Sequence, residues 1–366
     1  MSTTLDQPMP NPTGPSPPLV RLVVKPDQGR SLVAAGLIKP GQVVLVDTPP
    51  VLYPSSLASL PLFCSHCFRV LPSQPFPCPS CHVARFCSPK CLSLSHPHLL
   101  CHALPSLISG NDTWPDDLLF LLSAYSLPSS SLLQLLSLHS NSRYPDEQMP
   151  FIHSQLSSFI PPNLVPMHFS PETTSSLLSK KKTNCFLLIN PMDQKFGRGP
   201  HGLGGARALG FYLWASMINH DCLPNVCLFD NIDDPTRENN TDLIFRALHE
   251  IKEGSEICRS YVVLSREYRE RHSLLIEYYG FKCKCDRCKI ESKWFENEGE
   301  YAEGEEEMVE REGNFPHWDL LMRYTCKCGG TLAPLPPYPD GSVSDIIECN
   351  WCGVIRKYKP PDDDPY

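Results

Sequence analysis

The chain has 366 residues, a formal net charge of −8 and a pI near 5.9. An acidic balance of this kind argues against a module built to grip a nucleic-acid backbone, so direct DNA binding is not expected. The apolar run "LLFLLSAYSL" (118–127) falls well short of the ~18 residues of a membrane span, and no membrane partner is expected.

The length suggests two or three domains. Residues 1–18 contain "QPMPNPTGPSPP" and read as a disordered Pro-rich tail. Residues 19–60 hold the short β-rich runs "RLVV" and "QVVLV". Residues 61–102 then bring Cys64-x2-Cys67, Cys78-x2-Cys81 and Cys87-x3-Cys91, followed by His96, His98 and Cys101. Eight ligands make two tetrahedral zinc sites, and a segment this short cannot bury enough core to fold without them. With 18 cysteines in a chain read as intracellular, metal is expected rather than disulfides.

Residues 103–182 read as a helical insert: "DDLLFLLSAYSL" and "SSLLQLLSLHS" carry leucines at helical spacing, expected in the core. Strands resume over 183–265, with "TNCFLLINPM" and "DLIFRAL". This segment also holds "SMINHDCLPN" (216–225), dense in hydrogen-bonding groups directly after an apolar run. Residues 266–292 end on Cys283-x-Cys285-x2-Cys288, one ligand short of a zinc site. Cys222 is the natural fourth ligand, which would tie two distant segments together.

An acidic linker (293–315) follows, read as a solvated segment rather than an attractor of basic tails. Residues 316–358 carry Cys326-x-Cys328 and Cys349-x2-Cys352, each pair next to glycine, and read as a zinc-ribbon-like segment. Cys185, Cys227 and Cys258 remain and are expected to be buried free thiols.

The order of these motifs resembles the SET-domain lysine methyltransferases with an inserted MYND zinc finger, as in the SMYD proteins and the plant ASHR class. "DQGRSLVAAGL" resembles the opening GRGL strand pair, "NHDCLPN" the NHSCxPN motif, "EGSEICRSY" the GEELxxxY strand, and "YGFKCKCDRC" the post-SET cysteines. The likeness covers roughly residues 20–290. It implies a mostly β (α+β) fold, the SET folded ribbon with a helical insert, in which "SMINHDCLPN" threads beside the cofactor. It implies interleaved finger ligands: Cys64, Cys67, Cys87 and Cys91 on one zinc, and Cys78, Cys81, Cys101 and either His96 or His98 on the other. The total would be two zinc ions in the finger, one post-SET and one in the C-terminal segment.

The resemblance also implies S-adenosyl-L-methionine as methyl donor and a lysine on a basic protein tail, histone or other, as acceptor. Tyr261 is the expected catalytic residue and would also touch the donor. Gly29, Arg30, Ser216, Asn219, His220 and Phe281 would complete the cofactor site, and Tyr279 would line the lysine channel. Pro224 and Asn225 would shape the exit. The family expectation for location is the nucleus, alongside the cytoplasm. Two departures, Asp221 for serine and Ser31 for the second glycine of GRG, keep a second reading open: a weakly active scaffold that binds proline-rich peptides through the finger. A RING-type reading of the cysteines fits less well, because the third pair is Cys-x3-Cys and the histidine comes late.

Overall fold

The computed structural model describes residues 19–25, 29–94, 96–110, 115–140, 144–189, 205–230, 232–237, 239–296 and 318–357. The expected tail (1–18) and the linker from 297 onward lie outside them.

Strands β1 (Val20–Lys25) and β2 (Gly29–Ala34) form an antiparallel pair. β3 (Val43–Asp47) leads into β4 (Val51–Pro54). The finger holds the short pair β5 (Phe76–Pro77) and β6 (Arg85–Phe86) and then helix α1 (Pro89–Leu94). Helices α2 (His98–Ser109), α3 (Pro115–Tyr125), α4 (Ser129–Leu136), α5 (Met149–Phe159) and α6 (Pro171–Asn184) make the insert.

Two of these helices show why the segment is helical. α3 is buried from Leu118 to Tyr125, and a helix apolar on all sides belongs inside a core. α6 begins on Ser170, whose hydroxyl accepts the Thr173 N–H at 3.1 Å, has Pro171 and Glu172 in its first turn, and ends on Lys181 and Lys182. Each choice suits the helix dipole or the unpaired terminal N–H groups.

The chain returns to strands with β7 (Cys185–Ile189) and β8 (Ala206–Phe211), and β8 lies between β4 and β7. Phe120 of α3 stacks on Phe211 at 5.0 Å and packs against Tyr53 at 5.4 Å. Finger, insert and β4–β8 therefore share one hydrophobic cluster. β9 (Asn219–His220) follows, then β10 (Val226–Phe229) and β11 (Leu243–Ala247), which sits between β10 and β3. β12 (Cys258–Arg259) runs parallel to β9, the one parallel pair among the described residues. The architecture is α+β, with small antiparallel sheets and one parallel pair beside the helical insert.

α7 (Tyr268–Leu274) continues into one π-helical turn, Leu275–Tyr279, which closes on Gly280 in the left-handed region (φ 72°). α8 (Asp286–Glu296) runs past residue 292, so the first residues expected in a linker extend a helix instead. After α9 (Trp318–Tyr324), the strands β13 (Leu332–Pro334), β14 (Ile346–Cys349) and β15 (Ile355–Lys357) form an antiparallel sheet. This last unit docks on β10 and β11. Arg246 pairs with Glu348 at 2.7 Å while its guanidinium stacks 3.6 Å from the Phe229 ring centre. Asn350 Nδ2 donates to Leu228 O, and the Tyr324 hydroxyl to Leu248 O, both at 2.9 Å. Gly41, at φ 76°, permits the close approach, since a Cβ there would lie 2.0 Å from Leu335 O.

Candidate active site and zinc centres

"SMINHDCLPN" is held from both ends. Upstream, a buried Asp47 Oδ2 at the end of β3 accepts the N–H groups of Trp214 (2.9 Å) and Ala215 (2.8 Å), which sets the short turn Ala215–Met217. Burial pushes the Asp47 carboxyl up to about 6, even though these backbone N–H groups oppose the shift. Downstream, Asn225 clamps β12: its Nδ2 donates to Glu256 O (2.7 Å) and its Oδ1 accepts the Cys258 N–H (2.8 Å). Between these anchors Asn219 pairs with Cys258 and His220 with Arg259. Two segments far apart in the chain thus cross side by side.

A cavity of about 1150 Å³ opens at this crossing. Gly29, Arg30, Ser216, Asn219, His220, Tyr261, Tyr279 and Phe281 all line it, so every residue expected in the cofactor and acceptor sites meets in one place. Asn219 Nδ2 donates to Glu256 Oε1 (2.8 Å) and Arg30 O (3.3 Å), which leaves its oxygen for a ligand. Lys25 neutralises Glu256 at 2.7 Å. The Tyr261 hydroxyl donates to Ile218 O at 2.9 Å, and burial raises it to about 12, so it is neutral at physiological pH. The Tyr261 ring lies 4.6 Å from that of Tyr279 and edge-on to Phe281 at 6.4 Å.

His220 is held neutral, pushed down to about 3 by burial. Its Nδ1 accepts the Tyr261 N–H at 3.0 Å, so the ring proton sits on Nε2, which faces Cys222 Sγ at 3.2 Å. Ser216 Oγ is buried on the cavity wall without a protein partner. A buried orphan hydroxyl in a roomy polar cavity fits a polar ligand such as S-adenosylmethionine.

Thiols and one imidazole converge in four groups, the third of them beside the cavity: Cys64, Cys67, Cys87 and Cys91; Cys78, Cys81, His96 and Cys101; Cys222, Cys283, Cys285 and Cys288; and Cys326, Cys328, Cys349 and Cys352. Every one of these cysteines is a free thiol. Representative Sγ–Sγ distances are 3.6 Å (Cys87–Cys91), 3.8 Å (Cys78–Cys101), 3.5 Å (Cys222–Cys288) and 3.5 Å (Cys328–Cys349). Tetrahedral zinc with Zn–S bonds near 2.3 Å requires about 3.8 Å, so all four donor sets fit the ion.

Of the two histidines, His96 joins the finger, with Nε2 at 3.9 Å from Cys81 Sγ. Burial lowers its pKa to about 4, which keeps it in the neutral form that ligates. His98 does not join. Pro97 is the N-cap of α2, His98 opens the helix as an exposed residue, and it stays outside the donor set although it is three residues before Cys101. Cys227 is buried as expected, whereas Cys185 and Cys258 are only half-buried, and Cys258 lines the cavity.

Sequence reasoning missed three supports. Asp47 has no motif around it. Arg271, fully buried, donates from Nε to Cys222 Sγ (3.3 Å) and from Nη2 to Cys288 Sγ (3.7 Å), and pairs with Glu291. Glu291 also binds Arg287 at 2.7 Å, and Arg287 in turn donates to Leu264 O. This buried network offsets thiolate charge and joins the post-SET cysteines to the segment just after Tyr261. Arg259, on the cavity wall, was also passed over. Spacing gives no sign of Asp47 or Arg271, since each acts on partners remote in sequence.

The SET domain family model matches residues 29–262. The chain is 38% identical to "Histone-lysine N-methyltransferase ASHR2" of Arabidopsis thaliana, over 93% of this chain and 96% of that protein. It is 25% identical to "Histone-lysine N-methyltransferase SMYD3" of Mus musculus over 73% of this chain, spanning 60% of that protein's length. Among solved structures, the SET domain of LSMT bound to lysine and AdoHcy aligns at a TM-score of 0.40 and 12% identity, over 73% of this chain and 53% of that one. The chain belongs to the SET-domain family, in the class that carries a MYND finger.

Proposed function

We propose that the chain is an S-adenosylmethionine-dependent protein-lysine N-methyltransferase acting on basic protein tails, histone or other, in the nucleus and also the cytoplasm. The convergence of the eight expected residues on one cavity around a neutral Tyr261 hydroxyl carries this reading. The names of the relatives, histone-lysine methyltransferases, support it.

Bound S-adenosylmethionine supplies an electrophilic methyl group. Gly29, Arg30, Ser216, the Asn219 oxygen and the His220 backbone hold the donor, and the Phe281 ring covers its adenine. Tyr279 lines the lysine channel. The Tyr261 proton is committed to Ile218 O, so its oxygen is left to accept an N–H from the incoming amine. That contact turns the amine lone pair along the line of transfer. The four zinc centres are structural, because each has four protein ligands and no open position. Exposed Leu62 and Val70 on the finger favour a proline-rich peptide as a second partner there.

The test is calorimetric titration of the zinc-loaded protein with S-adenosylmethionine and S-adenosylhomocysteine, beside Asn219→Ala, followed by mass spectrometry on lysine peptides. Binding lost in Asn219→Ala is expected, with turnover reduced about 100-fold or more in Tyr261→Phe. A folded protein that neither binds the donor nor methylates any peptide would refute the reading.

A further inference from the structure

Arg259 is a charged residue of the cavity whose position the preceding account does not use. It lies on β12 two residues before Tyr261. Its guanidinium carbon sits 4.4 Å from the Tyr261 ring centre and 4.8 Å from that of Phe186, which also lines the cavity. Its Nε is buried without a hydrogen bond. No ion pair among the described residues includes it. A partly buried guanidinium with no carboxylate is costly to keep, and two ring faces recover only part of that cost.

The surroundings do not cancel the charge. On its own segment, Glu256 is committed to Lys25 and Asn219, and Cys258 is a neutral thiol whose ionisation burial opposes. From β9, His220 turns its Nδ1 to the Tyr261 N–H at 3.0 Å. The Asp221 carboxylate beyond it accepts the Leu223 N–H at 2.8 Å and faces the post-SET cysteines. Tyr279, from the π-helical turn, is half-buried, and desolvation opposes its ionisation. Arg30 and Lys180 line the cavity from β2 and α6, Lys282 and Lys284 from the post-SET loop, and all four add positive charge.

We propose that Arg259 is a positioning residue that makes the acceptor bind as a free amine: its fixed charge, one aromatic ring from the acceptor position, disfavours the ammonium form and leaves the neutral lone pair. This rests on the methyltransferase reading above. Only the neutral amine can attack a methyl group; the proton it sheds leaves to solvent before transfer. A unit charge several ångströms from the amine, in a partly solvated cavity, lowers its proton affinity by about one pH unit.

The experiment is the single-turnover methylation rate of a lysine peptide against pH, at saturating donor and peptide. The full zinc-loaded chain is compared with Arg259→Met, Arg259→Gln and Arg259→Lys. Zinc content and donor affinity are measured for each, and the two neutral variants serve as alternates should either fold poorly. In the neutral variants the acidic limb is expected to move up by about one pH unit, cutting the rate at pH 7 about tenfold with recovery at high pH. Arg259→Lys should keep the parent midpoint. A uniformly lower rate with an unmoved midpoint would show that Arg259 only packs the rings, and would overturn the proposal. Failure of the parent chain to methylate at any pH is a separate result, which removes the methyltransferase reading and this inference with it.

Discussion

Asp47 offers a test of how the cofactor side of the cavity is held. Replacing it with alanine strips the Trp214 and Ala215 N–H groups of their shared acceptor in a place water does not reach, since Asp47 is 4% exposed. Two charge-assisted hydrogen bonds contribute about 3–6 kcal/mol together. Against this stands the cost of burying the charge. A shift from 3.8 to about 6 corresponds to about 3 kcal/mol against the ionised form. Set against the middle of that range, the cost leaves the hydrogen bonds ahead by about 1.5 kcal/mol, so Asp47→Ala is expected to lose about 1–2 kcal/mol in urea denaturation at pH 7. Asp47→Asn keeps an oxygen acceptor and drops the charge, so it should stay within about 1 kcal/mol.

The pH dependence gives a second check. The folded pKa of Asp47 is raised, so the stability contributed by this carboxyl is full below its unfolded value of 3.8 and is lost as pH rises through about 6. Between pH 5 and 7.5 the parent protein should therefore lose about 1.4 kcal/mol relative to Asp47→Asn. Displacement of the turn Ala215–Met217 should also weaken S-adenosylmethionine binding by Asp47→Ala about tenfold or more in calorimetry. A stability within about 0.5 kcal/mol of the parent, together with unchanged donor affinity, would refute the view that Asp47 sets this wall.

Three further outcomes follow from the geometry. His96→Ala should contain one zinc fewer per chain by atomic-emission analysis, while His98→Ala should keep the parent content; equal contents would contradict the ligand assignment. Arg271→Met should weaken zinc retention at the post-SET site about 10–100-fold in a chelator competition. Its stability should fall by only about 2–3 kcal/mol, because Arg287 still pairs with Glu291. Asn225→Ala removes both side-chain bonds to β12 and should cost about 2–4 kcal/mol by denaturation, with faster exchange of the Cys258 amide.

The sequence by itself determined the local chemistry. Cysteine spacings of one to three residues marked which thiols could share an ion, while the interleaving within the finger came from the family resemblance and left the choice between His96 and His98 open. Leucine periodicity placed α3 and α4, and short apolar runs placed β1, β3, β7 and β11. The ordered motifs named the residues of the cavity. In each case the information is carried by covalent neighbours, whose relative positions the backbone geometry constrains.

The tertiary structure decided what lies beyond that reach. Only the entry into α2 separated His96 from His98. Only the β9–β12 crossing showed that Asn225 is a clamp, and only its register set Arg259 opposite His220 on the cavity wall. Asp47 reaches Ala215 across 168 residues, and Arg271 reaches Cys222 across 49. A lone aspartate or arginine has no spacing to betray such a partner. Its role depends on which remote segment the topology brings within about 3 Å, and on the burial that makes the contact strong.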